Sequence, residues 1–134
     1  MAKSSARTVL LVDDYPAGLL VGTLLIEHLE YKVLAVSSGA EAIEIIRNAH
    51  EPFMAVLMDI KMNGLDGFET TAIIRAIEKQ KGYSQPIIAV TAHAFAGDRQ
   101  RCLDAGMNDY ISKPIHPELL AQKLAPLATA RCAA

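Results

Sequence analysis

The chain alternates short apolar runs with longer segments of mixed character. Largely apolar runs lie at 8–12, 54–58 and 86–90, and each is followed by a polar residue, while 31–36 and 109–112 are shorter candidates of the same kind. Short apolar runs bounded by turn residues are typical of strands that are buried on both faces, as in a parallel sheet. The pattern therefore predicts five strands, and the run at 54–58 leads directly into Asp59.

The segments between the predicted strands carry features typical of helices. Pro16 suits the first position of a helix, and Ser38 has the spacing of a capping box with Glu41. Gly106 is a typical C-terminal cap, and we expect Pro126 to end or kink the last helix. The predicted helices begin near residues 16, 38, 66, 97 and 117. Their apolar stripes comprise Leu20, Val21, Leu24, Leu25 and Leu29 in the first helix, Ala42, Ile45 and Ile46 in the second, Ile74 and Ile77 in the third, and Leu120, Leu124 and Leu127 in the last.

The alternation of strands and helices predicts an α/β fold. Helices would cover both faces of a parallel sheet and so form a three-layer sandwich. A chain of 134 residues suits one domain, which we expect to span 7–128, between flexible tails at 1–6 and 129–134. Right-handed crossovers bring the carboxyl ends of all the strands to one edge, where ligands of such sheets usually bind.

Composition and charge narrow the class of protein. Hydrophobic residues make up 51% and charged residues 21%, as in a folded globular chain. A net charge of -2, with no run of Lys or Arg, argues against a nucleic-acid surface. No apolar stretch approaches the about 20 residues of a membrane helix, and the start lacks the apolar core of a signal peptide. Cys102 and Cys132 form no CxxC pair, so we expect a reducing, cytoplasmic location.

Polar residues of complementary chemistry follow the predicted strands. The first strand ends at Asp13 and Asp14, the third at Asp59, the fourth at Thr91 and the fifth at Lys113. Carboxylates that share one pocket repel one another, and a hard divalent cation such as Mg²⁺ relieves that repulsion. A metal, an ammonium and a hydroxyl around one carboxylate suit phosphoryl transfer, because phosphoryl oxygens need positive partners. The sequence therefore predicts that Asp59 is a nucleophile that forms an aspartyl phosphate.

The motifs around these residues resemble those of the receiver domains of two-component response regulators. The segments 97–98, 105–107 and 112–115, together with Cys102, are most similar to receivers of hybrid histidine kinases. The resemblance covers roughly Ala6 to Leu127 and implies a flavodoxin-like sheet of order 2-1-3-4-5. The motifs that carry it fall in family order and at family-like separations: Val12-Asp13-Asp14, Met58-Asp59, Leu65-Asp66-Gly67, Ala89-Val90-Thr91-Ala92, Asp109-Tyr110 and Lys113-Pro114.

The resemblance implies a role for each candidate residue. Asp59 accepts a phosphoryl group from a phosphohistidine on a partner, which is a histidine kinase or a histidine phosphotransfer domain. Thr91 and Lys113 bind the phosphoryl oxygens, and Tyr110 is an aromatic switch that turns inward when Thr91 moves. Mg²⁺ is the implied cofactor, and its implied ligands are Asp13, Asp14, Asp59 and the backbone carbonyl of Lys61.

Three positions near the acceptor are expected to modify this behaviour. Asn63 stands where the family usually has Pro, so we expect a more mobile loop and an altered affinity for Mg²⁺. Asn63 and Gly64 still suit a turn, since both tolerate a positive φ. Lys61 and His93 lie two residues after Asp59 and Thr91, and we expect them to tune the attack of water on the phosphorylated form.

Two other function classes compete with a phosphoacceptor. A Mg²⁺-dependent phosphatase of the haloacid dehalogenase type would want an Asp two residues after its nucleophile, but Lys61 occupies that place. An interaction module that is never phosphorylated would lack an acceptor or a metal ligand, and none is missing. A nucleotide-binding module is poorly supported, because neither GxGxxG nor GxxxxGK[ST] occurs.

The place of this domain in a larger system is also left open by the sequence. No room for an output domain follows Leu127, so we expect a stand-alone receiver or the receiver end of a hybrid kinase. As an isolated domain it would be no conventional enzyme, because it would catalyse only its own phosphorylation and dephosphorylation. A homodimer is expected through the face formed by the fourth helix, the fifth strand and the fifth helix, with no nucleic acid and no membrane segment involved.

Overall fold

The computed structural model describes residues 7–92 and 98–133, with backbone alone for Asp98 and 129–133. These residues form five parallel strands and five helices in strict alternation, as the sequence predicts. The sheet has the order β2-β1-β3-β4-β5, which confirms the expected three-layer α/β sandwich. The strands are β1 (Thr8–Val12), β2 (Lys32–Val36), β3 (Ala55–Asp59), β4 (Ile87–Thr91) and β5 (Asp109–Ser112). The helices are α1 (Pro16–His28), α2 (Gly39–Asn48), α3 (Gly67–Lys81), α4 (Asp98–Asp104) and α5 (Pro117–Ala133).

β3 lies at the centre of the sheet, between β1 and β4. Every residue of β3 and of β4 is buried, which explains why their sequences are apolar without alternation. The register pairs Val12 with Met58 and Asp59 with Val90, so the three central strands end at the same edge. β2 is the edge strand next to β1, and it is more exposed than the central strands.

Side chains that alternate along each strand feed two separate cores, one on each face of the sheet. On one face, Leu10 and Val56 pack with buried residues of α2, α3 and α4, among them Cys102. On the other face, Leu11 and Leu57 pack with buried residues of α1 and α5. Both faces are therefore covered by helices, and the edge at the carboxyl ends of the strands stays open to a ligand.

Capping interactions account for where several helices begin and end. Asp66 and Glu69 form a complete capping box at the start of α3, whereas the predicted box of α2 is only half formed. There Ser38 accepts a hydrogen bond from the Glu41 amide (3.1 Å), but the Glu41 carboxylate accepts from Ser37 (2.6 Å) and not from the Ser38 amide. Gly106, with φ 101°, follows α4 as a left-handed terminator, as expected.

Two of the predictions about helices need correction. Of the two outcomes expected at Pro126, an end of the helix is excluded, because α5 continues past Pro126 to Ala133 and so through most of the predicted tail. The apolar stripe of α1 is also divided, because Leu20, Val21 and Leu24 are 61%, 52% and 57% exposed. α1 instead buries Gly22 and Ile26, with a Cβ at position 22 lying only 2.7 Å from Leu11 Cδ2. The residues of α1 are apolar on most sides of the helix, so their spacing does not indicate which side is buried. Close packing of Gly22 against Leu11 of β1 sets the buried side.

Within the described ranges, no helix combines the length and the apolar character that a membrane span requires.

Candidate functional site

Three carboxylates meet at the edge where β1 and β3 end. Asp13 and Asp59 are each only 5% exposed, and Asp14 is half-buried. One oxygen from each of these side chains can be chosen so that all lie within 4.8 Å of one another. Because oxygen ligands in such a cluster are what a hard divalent cation takes, the donor set fits Mg²⁺. The structure thus brings together the three carboxylates that the sequence predicts.

Lys113 supplies the positive charge that faces this cluster. Its ammonium lies 3.2 Å from Asp59 Oδ1 and 3.6 Å from Asp13 Oδ2. The backbone amide of Lys113 donates to the carbonyl of Thr91 at 2.7 Å, which fastens the end of β5 to the end of β4. The contact between the two strand ends therefore positions the ammonium next to the Asp59 carboxylate.

The environment of Asp59 leaves its negative charge poorly compensated. The pKa of Asp59 is raised from an ordinary value of 3.8 to about 6; burial is the largest cause, and the neighbouring charge of Asp13 acts in the same direction. The Lys113 ammonium opposes both effects, as it favours the ionised carboxylate. A site with more negative than positive charge favours the binding of a cation, which would hold Asp59 in the ionised form needed for nucleophilic attack.

A small cleft of about 190 Å³ lies next to Asp59. Thr91, buried at the end of β4, lines it together with Asp59 and Lys113. Lys61 has an exposed side chain and lines the same cleft, next to Asp14. The cleft is therefore bounded by the carboxylate, the hydroxyl and the ammonium that phosphoryl transfer requires.

The loop from Ile60 to Gly67 is held by one hydrogen bond across its base and by one hydrogen bond to the carboxylate cluster. The Gly67 amide donates to the Ile60 carbonyl at 2.8 Å and closes the base of the loop. The Asn63 amide donates to Asp14 Oδ2 at 2.9 Å. A Cβ at position 67 would lie 2.5 Å from the Asp59 carbonyl oxygen, so only glycine allows this approach.

The remaining predicted residues differ in how the structure places them. Tyr110 lies on β5 opposite Ala89 and is half-buried against the core that contains α2, α3 and α4. It therefore lies on a strand adjacent to the one that ends at Thr91. His93 falls outside the described residues.

Sequence reasoning missed two residues that shape the site. The Tyr15 amide donates to Asp13 Oδ1 at 2.9 Å and orients that carboxylate. Gly18, in the first turns of α1, leaves the space that Asp13 fills, since a Cβ there would lie 2.2 Å from Asp13 Oδ2. A second glycine inside a predicted helix, besides Gly22, was the available indication that the helix approaches something closely.

Comparisons with known proteins agree with this geometry. Residues 9–125 match the profile of the response regulator receiver domain. The sensor histidine kinase GacS of Pseudomonas protegens is 46% identical over 120 residues, a segment that covers 89% of this chain. That segment is 13% of the kinase, so the chain spans only a small part of the length of this relative.

Two solved structures illustrate the similarity in three dimensions. The receiver domain of sensor histidine kinase PA1611 from Pseudomonas aeruginosa, solved with magnesium in its active site cleft, is 38% identical with a TM-score of 0.81, over 92% of this chain and 98% of that one. A chain from the co-crystal structure of the Saccharomyces cerevisiae phosphotransfer protein Ypd1 with the receiver domain of Ssk1 is 26% identical, with a TM-score of 0.83, over 92% and 90% of the two chains.

Proposed function

The chain belongs to the response regulator receiver domain family and is a phosphoacceptor module that uses Mg²⁺, and we propose that Asp59 is the residue that accepts the phosphoryl group. The observation that carries this proposal is the position of Asp59. It ends the central strand, contacts Lys113 at 3.2 Å, and shares a cation site with Asp13 and Asp14. One relative is a segment of the sensor kinase GacS, and another is known from a co-crystal structure with a phosphotransfer protein. These relatives support a two-component phosphorelay as the system in which this chain works.

Each neighbour of Asp59 has a proposed part in the transfer. The carboxylate of Asp59 attacks the phosphorus of the donor phosphohistidine, so that an O–P bond forms as the N–P bond breaks and the donor imidazole leaves. Asp13, Asp14 and the Lys61 carbonyl would hold Mg²⁺ during this step. When bound, Mg²⁺ supplies positive charge to the phosphoryl oxygens as they gain negative charge. The Lys113 ammonium provides a second positive partner for the phosphoryl oxygens, because it already contacts both Asp59 and Asp13.

The product changes the charge of the site, and we propose that Thr91 and Tyr110 respond to it. An acyl phosphate adds roughly -1.5 to -2 charge. The hydroxyl of Thr91 lies at the same cleft and is a donor for the new oxygens. Movement of Thr91 would open space beside β5, into which Tyr110 turns from its half-buried position. Lys61, and His93 by its place in the sequence, are proposed to tune hydrolysis of the product.

The partner is proposed to be a histidine phosphotransfer domain or a histidine kinase that docks on α1. A groove of about 430 Å³ runs between α1 and the segment after β5, and Val21, Pro114 and Ile115 line it. Asp13 and Lys113 lie at the same groove, so a protein bound there reaches the acceptor. The exposed Leu20 and Leu24 extend the apolar surface along α1. Support comes also from the Ypd1–Ssk1 complex, in which a relative is crystallised with a phosphotransfer protein.

Three broader statements are proposals of the same kind. We propose that the receiver spans 7–128, with α5 continuing beyond it to Ala133, and that it works in the cytoplasm, where the buried thiol of Cys102 stays reduced. We also propose a homodimer through α4, β5 and α5, on which Leu103 is an exposed apolar residue. The chain is 13% of the length of GacS, so its place within a hybrid kinase is likewise a proposal.

The test is phosphorylation by a small molecule. The protein is incubated with Mg²⁺ and acetyl phosphate, and its intact mass is measured with time. We expect one acid-stable, base-labile phosphoryl adduct in the wild type and in Asp104→Asn, a matched change of an exposed carboxylate on α4. We expect none in Asp59→Asn. An adduct that survives in Asp59→Asn would refute the assignment, and turnover of a phosphate ester would favour a phosphatase instead.

A further inference from the structure

A hydrogen bond from a backbone amide to a carboxylate links the two segments that are proposed to hold Mg²⁺. The amide of Asn63 donates to Asp14 Oδ2 at 2.9 Å, although the two residues are 49 positions apart. Asp14 follows β1, whereas Asn63 belongs to the loop after β3 that also carries the Lys61 carbonyl. We propose that the Asn63 amide is a positioning group that preorganises the cation site. This inference rests on the proposed function, because it takes Asp14 and Lys61 as metal ligands.

The arrangement of the loop explains why this one bond matters. Its base is closed by the Gly67 amide, which donates to the Ile60 carbonyl at 2.8 Å. Gly64, with φ 75°, reverses the chain directly after Asn63. Between the base and the turn, the bond from Asn63 fastens the tip of the loop to the end of β1. Lys61 lies between these two attachment points and lines the same cleft as Asp14, so the segment that carries its carbonyl is restrained before any cation binds.

The hydrogen bond from Asn63 leaves one oxygen of the Asp14 carboxylate for a metal ion. The amide uses Oδ2 of Asp14, and a carboxylate has two oxygens with about four lone-pair sites. Oδ1 is therefore available to a cation, directly or through water. A hydrogen bond to an ionised acceptor is also of the stronger kind, and Asp14 is half-buried. Holding ligands from separate elements in place before binding reduces the ordering that binding itself must impose.

The effect depends on position 63 not being proline. Every residue except Pro has a backbone amide that can donate here, and Pro has none. The family that this chain resembles usually has Pro at this place, and such a chain lacks this donor. Asn63 therefore exchanges the rigidity of a Pro ring for a direct bond to a metal ligand.

The experiment compares two substitutions on the full 134-residue chain. Asn63→Pro removes the amide, and Asn63→Ala removes the side chain but keeps the amide. Titration calorimetry with MgCl₂ measures the affinity of each. We expect Asn63→Ala to bind Mg²⁺ within about twofold of the wild type, and Asn63→Pro to bind roughly five- to tenfold more weakly. Unchanged or tighter binding by Asn63→Pro would overturn the proposal, as would equal weakening by both variants.

A second measurement covers the case in which the Pro ring distorts the loop. Amide hydrogen exchange, followed by NMR in the wild type without Mg²⁺, reports on the bond itself. We expect the Asn63 amide to be protected, and we expect Asp14→Ala to abolish that protection while leaving the Gly67 amide protected. Rapid exchange of the Asn63 amide in the wild type would overturn the proposal. Failure of the receiver function is distinguishable, because it would appear as the absence of a phosphoryl adduct on Asp59 in the wild type.

Discussion

The ammonium of Lys113 lies 3.2 Å from Asp59 Oδ1, and this contact joins the ends of two strands that are not neighbours in the sheet. β4 lies between them, and the Lys113 amide is bonded to the carbonyl of Thr91 at the end of β4. Asp59, Thr91 and Lys113 are thus held by three adjacent strand ends. Their relative positions depend on strand register, and a flexible loop does not set them.

Removal of the Lys113 charge should raise the pKa of Asp59. The ammonium is the contact that lowers this pKa, so without it burial and Asp13 act unopposed. In Lys113→Met we expect the pKa to rise above about 6, by roughly one unit. Carboxyl carbon NMR across a pH titration without divalent cations measures it. Lys123→Met, which breaks a separate ion pair of 2.7 Å with Asp109, should leave it unchanged; an equal shift in both variants would contradict this assignment.

Stability should fall as pH rises through the folded-state pKa of Asp59. Its pKa is about 6 in the folded protein, against 3.8 ordinarily, so the folded state binds a proton more tightly than the unfolded state does. The stabilising contribution of the protonated group is complete below pH 3.8 and is lost as pH rises through about 6. We therefore expect Asp59→Asn to be more stable than the wild type at pH 7.5 by at most about 3 kcal/mol.

Urea unfolding of both proteins without Mg²⁺ checks this expectation. The difference in the free energy of unfolding between Asp59→Asn and the wild type should shrink as pH is lowered from 7.5 to 4.5. Adding Mg²⁺ should stabilise the wild type selectively, because a ligand that binds only the folded state adds to its stability. A difference that is independent of pH would show that Asp59 is not the group responsible.

Gly67→Ala should disturb both the fold and the acceptor. A Cβ at this position would lie 2.5 Å from the Asp59 carbonyl oxygen, and backbone cannot move aside as a flexible side chain does. Overpacking of this kind costs about 1–3 kcal/mol. We expect a lower free energy of unfolding in urea, together with slower formation of the phosphoryl adduct from acetyl phosphate.

Gly82→Ala is the matched control for that substitution. Gly82 ends α3 with φ 82° and has open space around its Cα, so Ala there is strained but touches nothing. We expect it to lower stability by about 1–2 kcal/mol without changing the rate of phosphorylation. If both variants slowed phosphorylation equally, the close approach of Gly67 to Asp59 would not be the cause.

A charge on the exposed face of α1 should impair transfer from a protein donor alone. Leu24 is 57% exposed, so Leu24→Asp should fold normally while it weakens an apolar docking surface. With phosphorylated Ypd1 as the donor probe, we expect the transfer rate to fall about tenfold or more. The rate with acetyl phosphate should not change. Leu34→Asp, on the edge strand β2 where Leu34 is 40% exposed, should leave both rates unchanged, and an equal loss in the two variants would argue against docking on α1.

The architecture and the main residues of the site can be predicted from the amino-acid pattern alone. Apolar runs that each end in a polar residue are a local pattern, and Val12-Asp13 and Met58-Asp59 carry it within a few residues. Parallel strands with right-handed crossovers leave one edge for such residues to share, so Asp59, Asp13 and Lys113 had to converge. Burial pattern and chain topology predict that Asp13, Asp59, Thr91 and Lys113 meet at one edge, as they do in the structure. The chemical roles of these residues stay predictions.

Contacts that depend on packing between distant segments follow from the tertiary fold and are not predicted by the sequence pattern. α1 is apolar around most of its circumference, and it buries Gly22 because a glycine allows close approach to Leu11. The amide of Asn63 reaches Asp14, and Gly67 approaches the Asp59 carbonyl, because strand register brings separate loops together. Glycines show where a close approach is possible, and every residue except Pro has an amide that can donate. The sequence therefore indicates which residues could make such contacts but not which partners they meet.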